Sequence, residues 1–295
     1  MTFQEGFQKS AARAERRSGG GRAIALGGGG IGSLLLVGIF ILMGGNPNDL
    51  GSLGLSDGPA QGGRGSESAA VDECRTGADA NARVDCRIEF TGISLDRVWE
   101  RELKAQAGID YTAPGLVLFE SGTQSGCGRA TASTGPFYCP ADEKAYFDTS
   151  FFDTIARMGG GSGPLAQEYV VAHEFGHHIQ KLEGTLGRID YNNPGPDSDA
   201  VKLELQADCY AGIWAHFADE GPDAILETLT EEEVADALAT TRAIGDDTIQ
   251  KHSGGDIRPD LWTHGSAQAR TDAFLAGYNS GRMAQCDTLN RGVYR

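Results

Sequence analysis

Two histidines four residues apart, His173 and His177, flank Glu174 in the run His173-Glu174-Phe175-Gly176-His177. On an α-helix that spacing leaves the two side chains about 40° apart, so both project from one face. Two imidazoles so placed can share one tetrahedral zinc ion, and the Glu174 carboxylate lies where it can take a proton from a water on that metal. The apolar run Tyr169–Ala172 just upstream makes this a buried helix. Buried paired imidazoles need a partner, and a metal is the commonest one. The expected cofactor is Zn2+.

A catalytic zinc takes a third protein ligand and keeps one position open. The extended motif H-E-x-x-H-x-x-G-x-x-H would supply it from a histidine at position 183, but Gln180 and Glu183 stand where its glycine and histidine belong. Downstream, Glu204 and Asp208 are again four apart and share a helical face. One of these carboxylates can bind the metal while the other accepts the outer N–H of a ligand histidine. A solvated acidic stripe is the competing reading, weakened by the Ala, Leu and Tyr residues around the pair. Cys209, about 140° around from Glu204, points elsewhere.

Helices must carry these groups. Pro164 opens one that Gly184 closes, and Ser198 starts a second running to about Asp219. Ser94 caps a helix that stops at Gly108, Thr230 with Glu233 forms a capping box for a helix ending at Gly245, and a last helix covers 266–279. Short β-like runs lie at 115–120 and 144–148, and the run Lys144–Phe151 reads as an edge strand beside the cleft. The fold expected is mostly α with a small β-sheet, an α+β domain. His178 reads as a packing residue, His216 as structural and His252 as a surface residue. Gly176 costs about 1 kcal/mol of helix stability against Ala, which predicts a close backbone approach there.

The remaining chain sets the location. Its 295 residues carry a net charge of -16, which argues against nucleic acid as a partner. Residues 1–22 hold five basic residues against two acidic ones, and residues 23–43 hold no charge at all. About 20 apolar residues span a bilayer core, so 23–43 is expected to be a transmembrane helix. The basic flank predicts a cytoplasmic N-terminus and an extracytoplasmic domain. Residues 44–70, rich in Gly and Ser, read as a flexible linker, leaving 71–295 as the domain. All six cysteines follow the apolar run, an even number suited to disulfides in an oxidising compartment. Local closure favours Cys74–Cys86 and Cys127–Cys139, which leaves Cys209–Cys286.

HEFGHH, then ELQADCYAG, then Thr263-His264-Gly265-Ser266 with Gln268 and Arg270, together with GPFYCPADEKAYFDTSFF at 135–152, are similar to the bacterial neutral zinc metallopeptidases, single-anchor membrane proteins. A more distant likeness links the chain to membrane zinc proteases that process CAAX-type or heat-damaged membrane proteins. In those a histidine precedes an arginine by six residues, as His264 precedes Arg270, although Gly265 stands here where they carry proline. The resemblance implies a zincin-like domain, with His173, His177 and Glu204 as metal ligands and Asp208 supporting them. It also implies Glu174 as general base, and His264 with Arg270 stabilising the oxyanion. The function expected is a membrane-anchored zinc metalloendopeptidase acting on peptide or protein substrates. The alternative is a non-catalytic anchored zinc-binding domain that recruits a protein partner, and a fourth protein ligand would mark it.

Overall fold

The computed structural model describes residues 2–17, 73–131, 134–190 and 192–295. It is an α+β fold of helices with a four-stranded sheet and a two-stranded one. The elements run in order from strand β1 (Glu15–Arg17) through helices α1 (Gly77–Ala82) and α2 (Val84–Ala107). Strands β2 (Gly115–Phe119), β3 (Gly122–Ser125), β4 (Gly128–Thr131), β5 (Phe137–Cys139) and β6 (Lys144–Asp148) follow. Helices α3 (Phe151–Arg157), α4 (Pro164–Leu182), α5 (Asp199–Phe217), α6 (Glu231–Ala243), α7 (Asp246–His252) and α8 (Ala267–Ser280) complete the chain.

Helix α4 carries the His-Glu-x-x-His run through the middle of the core, with α2, α5 and α6 packed against it. Its burial is nearly continuous from Leu165 to Gln180. Gly176 lets α5 approach: a Cβ there would meet the Ala207 Cα at 2.9 Å. Helices α5 and α8 touch backbone to backbone, because a Cβ on Gly277 would fall 1.9 Å from the Cys209 carbonyl oxygen. These contacts bring three separate stretches of sequence to one point.

Several expected boundaries move. Ser94 does not start a helix; α2 begins ten residues earlier, and the buried Ser94 hydroxyl accepts from the Trp214 indole at 3.0 Å. The earlier start follows from the apolar side of 84–93, where Cys86, Ile88 and Phe90 are wholly buried. The four-stranded sheet has the order β1-β2-β6-β5, so β6 is interior and the edges are β1 and β5. Strand β6 pairs parallel with β2 (Val117 opposite Tyr146) and antiparallel with β5 (Phe137 opposite Tyr146). Alternation along 144–148 was a poor guide to its place, since Ala145 through Asp148 are all buried.

Residues 2–17 differ most from expectation. They belong to the domain. Strand β1 adds to the sheet in parallel with β2. Phe3 is buried edge-on to Phe90, and the Thr2 carbonyl accepts from the Glu227 N–H at 2.7 Å. Glu89 on α2 is fully buried, and its carboxylate is held by Lys9, by Arg16 at 2.8 Å and by the Arg13 backbone N–H at 2.7 Å. A buried carboxylate without such partners costs several kcal/mol, so these cations are part of the core's chemistry. Arg16 also reaches the Cys74 sulfur, which brings both flanks of 18–72 together. Residues 2–17 thus pack against the part of the chain that was expected to fold from Val71 onward. The expected span 23–43 and linker 44–70 lie outside the described residues; no described helix is long and apolar enough to cross a membrane.

All six cysteines are bridged, Cys74–Cys86, Cys127–Cys139 and Cys209–Cys286, the pairing that local closure favours.

Candidate metal centre

One turn of α4 and one turn of α5 make the site. The His173 Nε2 lies 3.2 Å from the Glu204 Oε2, and the His177 Nε2 lies 3.6 Å from its Oε1. Ligand atoms around a tetrahedral zinc stand about 3.3 Å apart, so the three donors have the spacing a shared ion needs. They form one of two groups of potential ligand atoms among the described residues; the other is built on the bridged Cys74 and Cys86.

The hydrogen bonds decide which imidazole nitrogens are available. The His173 Nδ1–H donates to Asp208 at 2.8 Å, since a carboxylate accepts, so in the neutral ring the lone pair sits on Nε2. The His177 Nδ1–H donates to the Gln180 Oε1 at 2.9 Å. Gln180 is itself fixed, because its Nε2 donates to the Leu203 carbonyl at 2.6 Å. With Nδ1 so committed, each neutral imidazole carries its lone pair on Nε2, the atom that faces Glu204, as metal ligation requires.

Buried polar atoms at the site make no well-directed hydrogen bond: the His173 Nε2 and the Glu204 Oε2, 3.2 Å from each other, the Glu174 Oε2 and the His264 Nε2. Orphaned polar atoms are rare in a core, and several together mark a place where an ion or reactant belongs. The residues fit a zinc ion.

Charge around the site is finely opposed. Burial disfavours ionised Glu204, but His177, His264 and His173 outweigh it and hold its pKa well below the usual carboxylate range. Burial also opposes charge on His173, yet Asp208 and Glu204 raise it to about 10 in the absence of a metal. Glu174 goes the other way: burial raises it, with His173 and His177 opposing. Its carboxylate accepts from the Tyr138 backbone N–H on edge strand β5. A buried carboxylate with raised proton affinity is suited to taking and returning a proton.

Asp208 is a hub. Its Oδ1 accepts from the His173 Nδ1, from the Tyr169 hydroxyl at 2.5 Å and from the Arg270 Nη2 at 3.0 Å. Arg270 is buried and also meets the Tyr169 hydroxyl at 3.2 Å. Its guanidinium thus pairs with Asp208, and Arg270 also lines the recess next to His173 and Glu174. His264 comes to the cleft: it is buried, its charge is felt by Glu204, and its Nδ1 lies 2.9 Å from the Thr263 Oγ1. His178 packs as expected, accepting at Nδ1 from the Tyr138 hydroxyl (2.9 Å) and donating from Nε2 to the Thr112 carbonyl (2.6 Å).

The model of the family described as "Putative neutral zinc metallopeptidase" matches residues 6–289. The chain belongs to that family. The match includes part of the N-terminal segment that seats on the domain. This zinc metallopeptidase family member is 46% identical over 226 residues to the uncharacterized protein Rv2575 of Mycobacterium tuberculosis, covering 75% of each chain. Mb2605 of Mycobacterium bovis, also uncharacterized, matches equally. YpfJ of Escherichia coli, likewise uncharacterized, is 39% identical over 217 residues, 71% of this chain and 74% of its own. No solved structure matches.

Tyr169, Gln180 and Tyr138 were not anticipated at the site. Helix spacing could have found two of them, since Tyr169 precedes His173 by four residues and Gln180 follows His177 by three. Tyr138 gave no such signal; it arrives through sheet pairing.

Proposed function

We propose that this family member is a membrane-attached zinc metalloendopeptidase. The observation that carries the reading is the convergence of the His173 and His177 Nε2 atoms on Glu204, with the unpartnered Glu174 Oε2 beside them. His173, His177 and Glu204 would hold the zinc, which supplies Lewis acidity toward a water and a peptide carbonyl. Glu174 takes the proton of the attacking water and delivers it to the departing amine. His264 donates from Nε2 to the oxygen that gains negative charge on the substrate. Asp208 keeps His173 in the ligating tautomer, and Arg270 and Tyr169 hold Asp208 in place. Three donors leave room for a reactant at a four-coordinate ion, which favours catalysis over a closed structural site.

A peptide fits beside these groups. A small recess next to His173 and Glu174 is lined by the apolar Pro136, Phe151, Ile155 and Val170, with Tyr169 and Arg270 at its wall. Edge strand β5 offers a backbone against which an extended chain can lie. The bridged cysteines favour an extracytoplasmic domain, with residues 2–17 on the same side and the 23–43 run as the attachment to the membrane. The test is metal analysis of the purified full chain with a peptide-library digest. One zinc per chain and peptide cleavage are expected; a zinc-loaded chain that cuts no peptide would leave the non-catalytic binding reading in its place.

A further inference from the structure

Asp246 begins α7, far in sequence from every residue of the metal centre, yet it is buried against the loop that carries His264. Its Oδ2 accepts three consecutive backbone N–H groups, from Thr263 and His264 at 2.8 Å each and from Gly265 at 2.9 Å. Its Oδ1 lies 3.4 Å from the His264 Nδ1. The Asp246 N–H in turn donates to the Gly265 carbonyl at 2.9 Å. Gly265 takes a left-handed φ of 98°, and a Cβ there would press within 3.3 Å of Val201 and Leu205 on α5. The loop is therefore wrapped around one carboxylate and pressed onto the helix that supplies Glu204. His264 leaves this loop with its Nδ1 side occupied and its Nε2 buried without a partner.

We propose that Asp246 is the positioning residue that fixes the His264 ring at the cleft, holding both its backbone and its Nδ1 edge so that Nε2 faces the reacting carbonyl. The proposal rests on the peptidase reading for its kinetic consequence, and on geometry alone for the His264 placement. A carboxylate accepting three N–H groups prefers to stay ionised. Asp246 follows that rule: burial opposes its charge, but His264 and these N–H groups outweigh it and lower its pKa. A carboxylate that merely stapled the loop would act on stability, and its loss would add to any loss at His264. A positioning residue acts through the ring, so its loss should vanish when the ring is gone.

The test uses the full chain as Asp246→Asn, His264→Ala and the double variant. Asp246→Asn keeps an oxygen for the N–H groups but loses the charge. Its kcat should fall about tenfold or more with KM and zinc content unchanged, and on the His264→Ala background it should cost less than about twofold. Additive losses would overturn the proposal. A second measurement needs no activity: in long-range 1H–15N spectra of zinc-free protein, Asp246→Asn should move the His264 ring signals and leave those of His178 and His216 in place. Unmoved His264 signals would overturn it even if the wild type cuts no peptide, a result that by itself counts only against the peptidase reading. Should Asp246→Asn not fold, Asp246→Ser, which keeps a short acceptor, takes its place; if both fail while His264→Ala folds, Asp246 is structural and the proposal is wrong.

Discussion

The His173 Nδ1–H donates a hydrogen bond to Asp208 across 2.8 Å, and that one bond turns the opposite nitrogen toward Glu204. Asp208 is a single residue through which Tyr169, Arg270 and a candidate ligand communicate. It sits one helical turn from Glu204, so α5 supplies both a ligand and the group that orients another ligand.

Removing the two carboxylates should therefore have different effects. Glu204→Ala should lose zinc on mild dialysis, because two imidazoles alone hold it weakly. Asp208→Ala should lower zinc affinity about 10–100-fold while the site still loads at saturation. Competition with a chelator measures both, and the reverse ranking would exchange their roles.

Arg270 should behave as a partner of Asp208. Arg270→Ala leaves the buried Asp208 charge without its cation, so stability should fall by about 3–5 kcal/mol in denaturant titration. In a double variant with Asp208→Asn much of that loss should be recovered, since the buried charge is then gone. No recovery would return Arg270 to the role at the oxyanion that the resemblance implied.

The N-terminal segment makes a topological prediction. Glu5 and Glu227 are both exposed and line one surface hollow. Cysteines placed separately at these positions should react from the same side of an intact membrane with an impermeant thiol reagent. Reaction from opposite sides would show that residues 2–17 leave the domain in the cell.

How far the sequence revealed this depended on the range of the interactions. The helix carrying His173 and His177, the Ser198 start of α5 and the Thr230–Glu233 capping box could all be read, because caps and i,i+4 pairs are local. Local closure likewise gave the two disulfides of twelve-residue separation. The places of β1 and β5 could not be read, since strand partners are set by tertiary pairing. Lys9 and Arg16 looked like a basic flank of an apolar run, and only the buried Glu89, more than seventy residues away, gives them another role. Asp246 carried no motif at all.

Glu168 supplies a pH dependence outside the metal centre. It is fully buried under Thr2, whose hydroxyl donates to it at 2.5 Å, and burial raises its pKa from 4.5 to about 7 against opposition from Thr2 and Arg87. A carboxyl with a raised native pKa contributes stability that is complete below about 4.5 and lost as pH rises through about 7. The shift corresponds to roughly 3 kcal/mol. Glu168→Gln, which keeps the acceptor for Thr2, should gain on the wild type by that order between pH 4.5 and pH 8 in urea unfolding. Parallel stability curves would show that Glu168 does not titrate in this range.

The central claim is that Glu174 does chemistry and does not hold the metal. Glu174→Gln replaces one buried carboxylate oxygen with an amide, leaving His173, His177 and Glu204 untouched. Zinc content and peptide hydrolysis of this variant, measured on the same full-length preparation, test it most directly. One zinc per chain with hydrolysis at background is the predicted result; hydrolysis at the wild-type rate, or loss of the zinc, would contradict it.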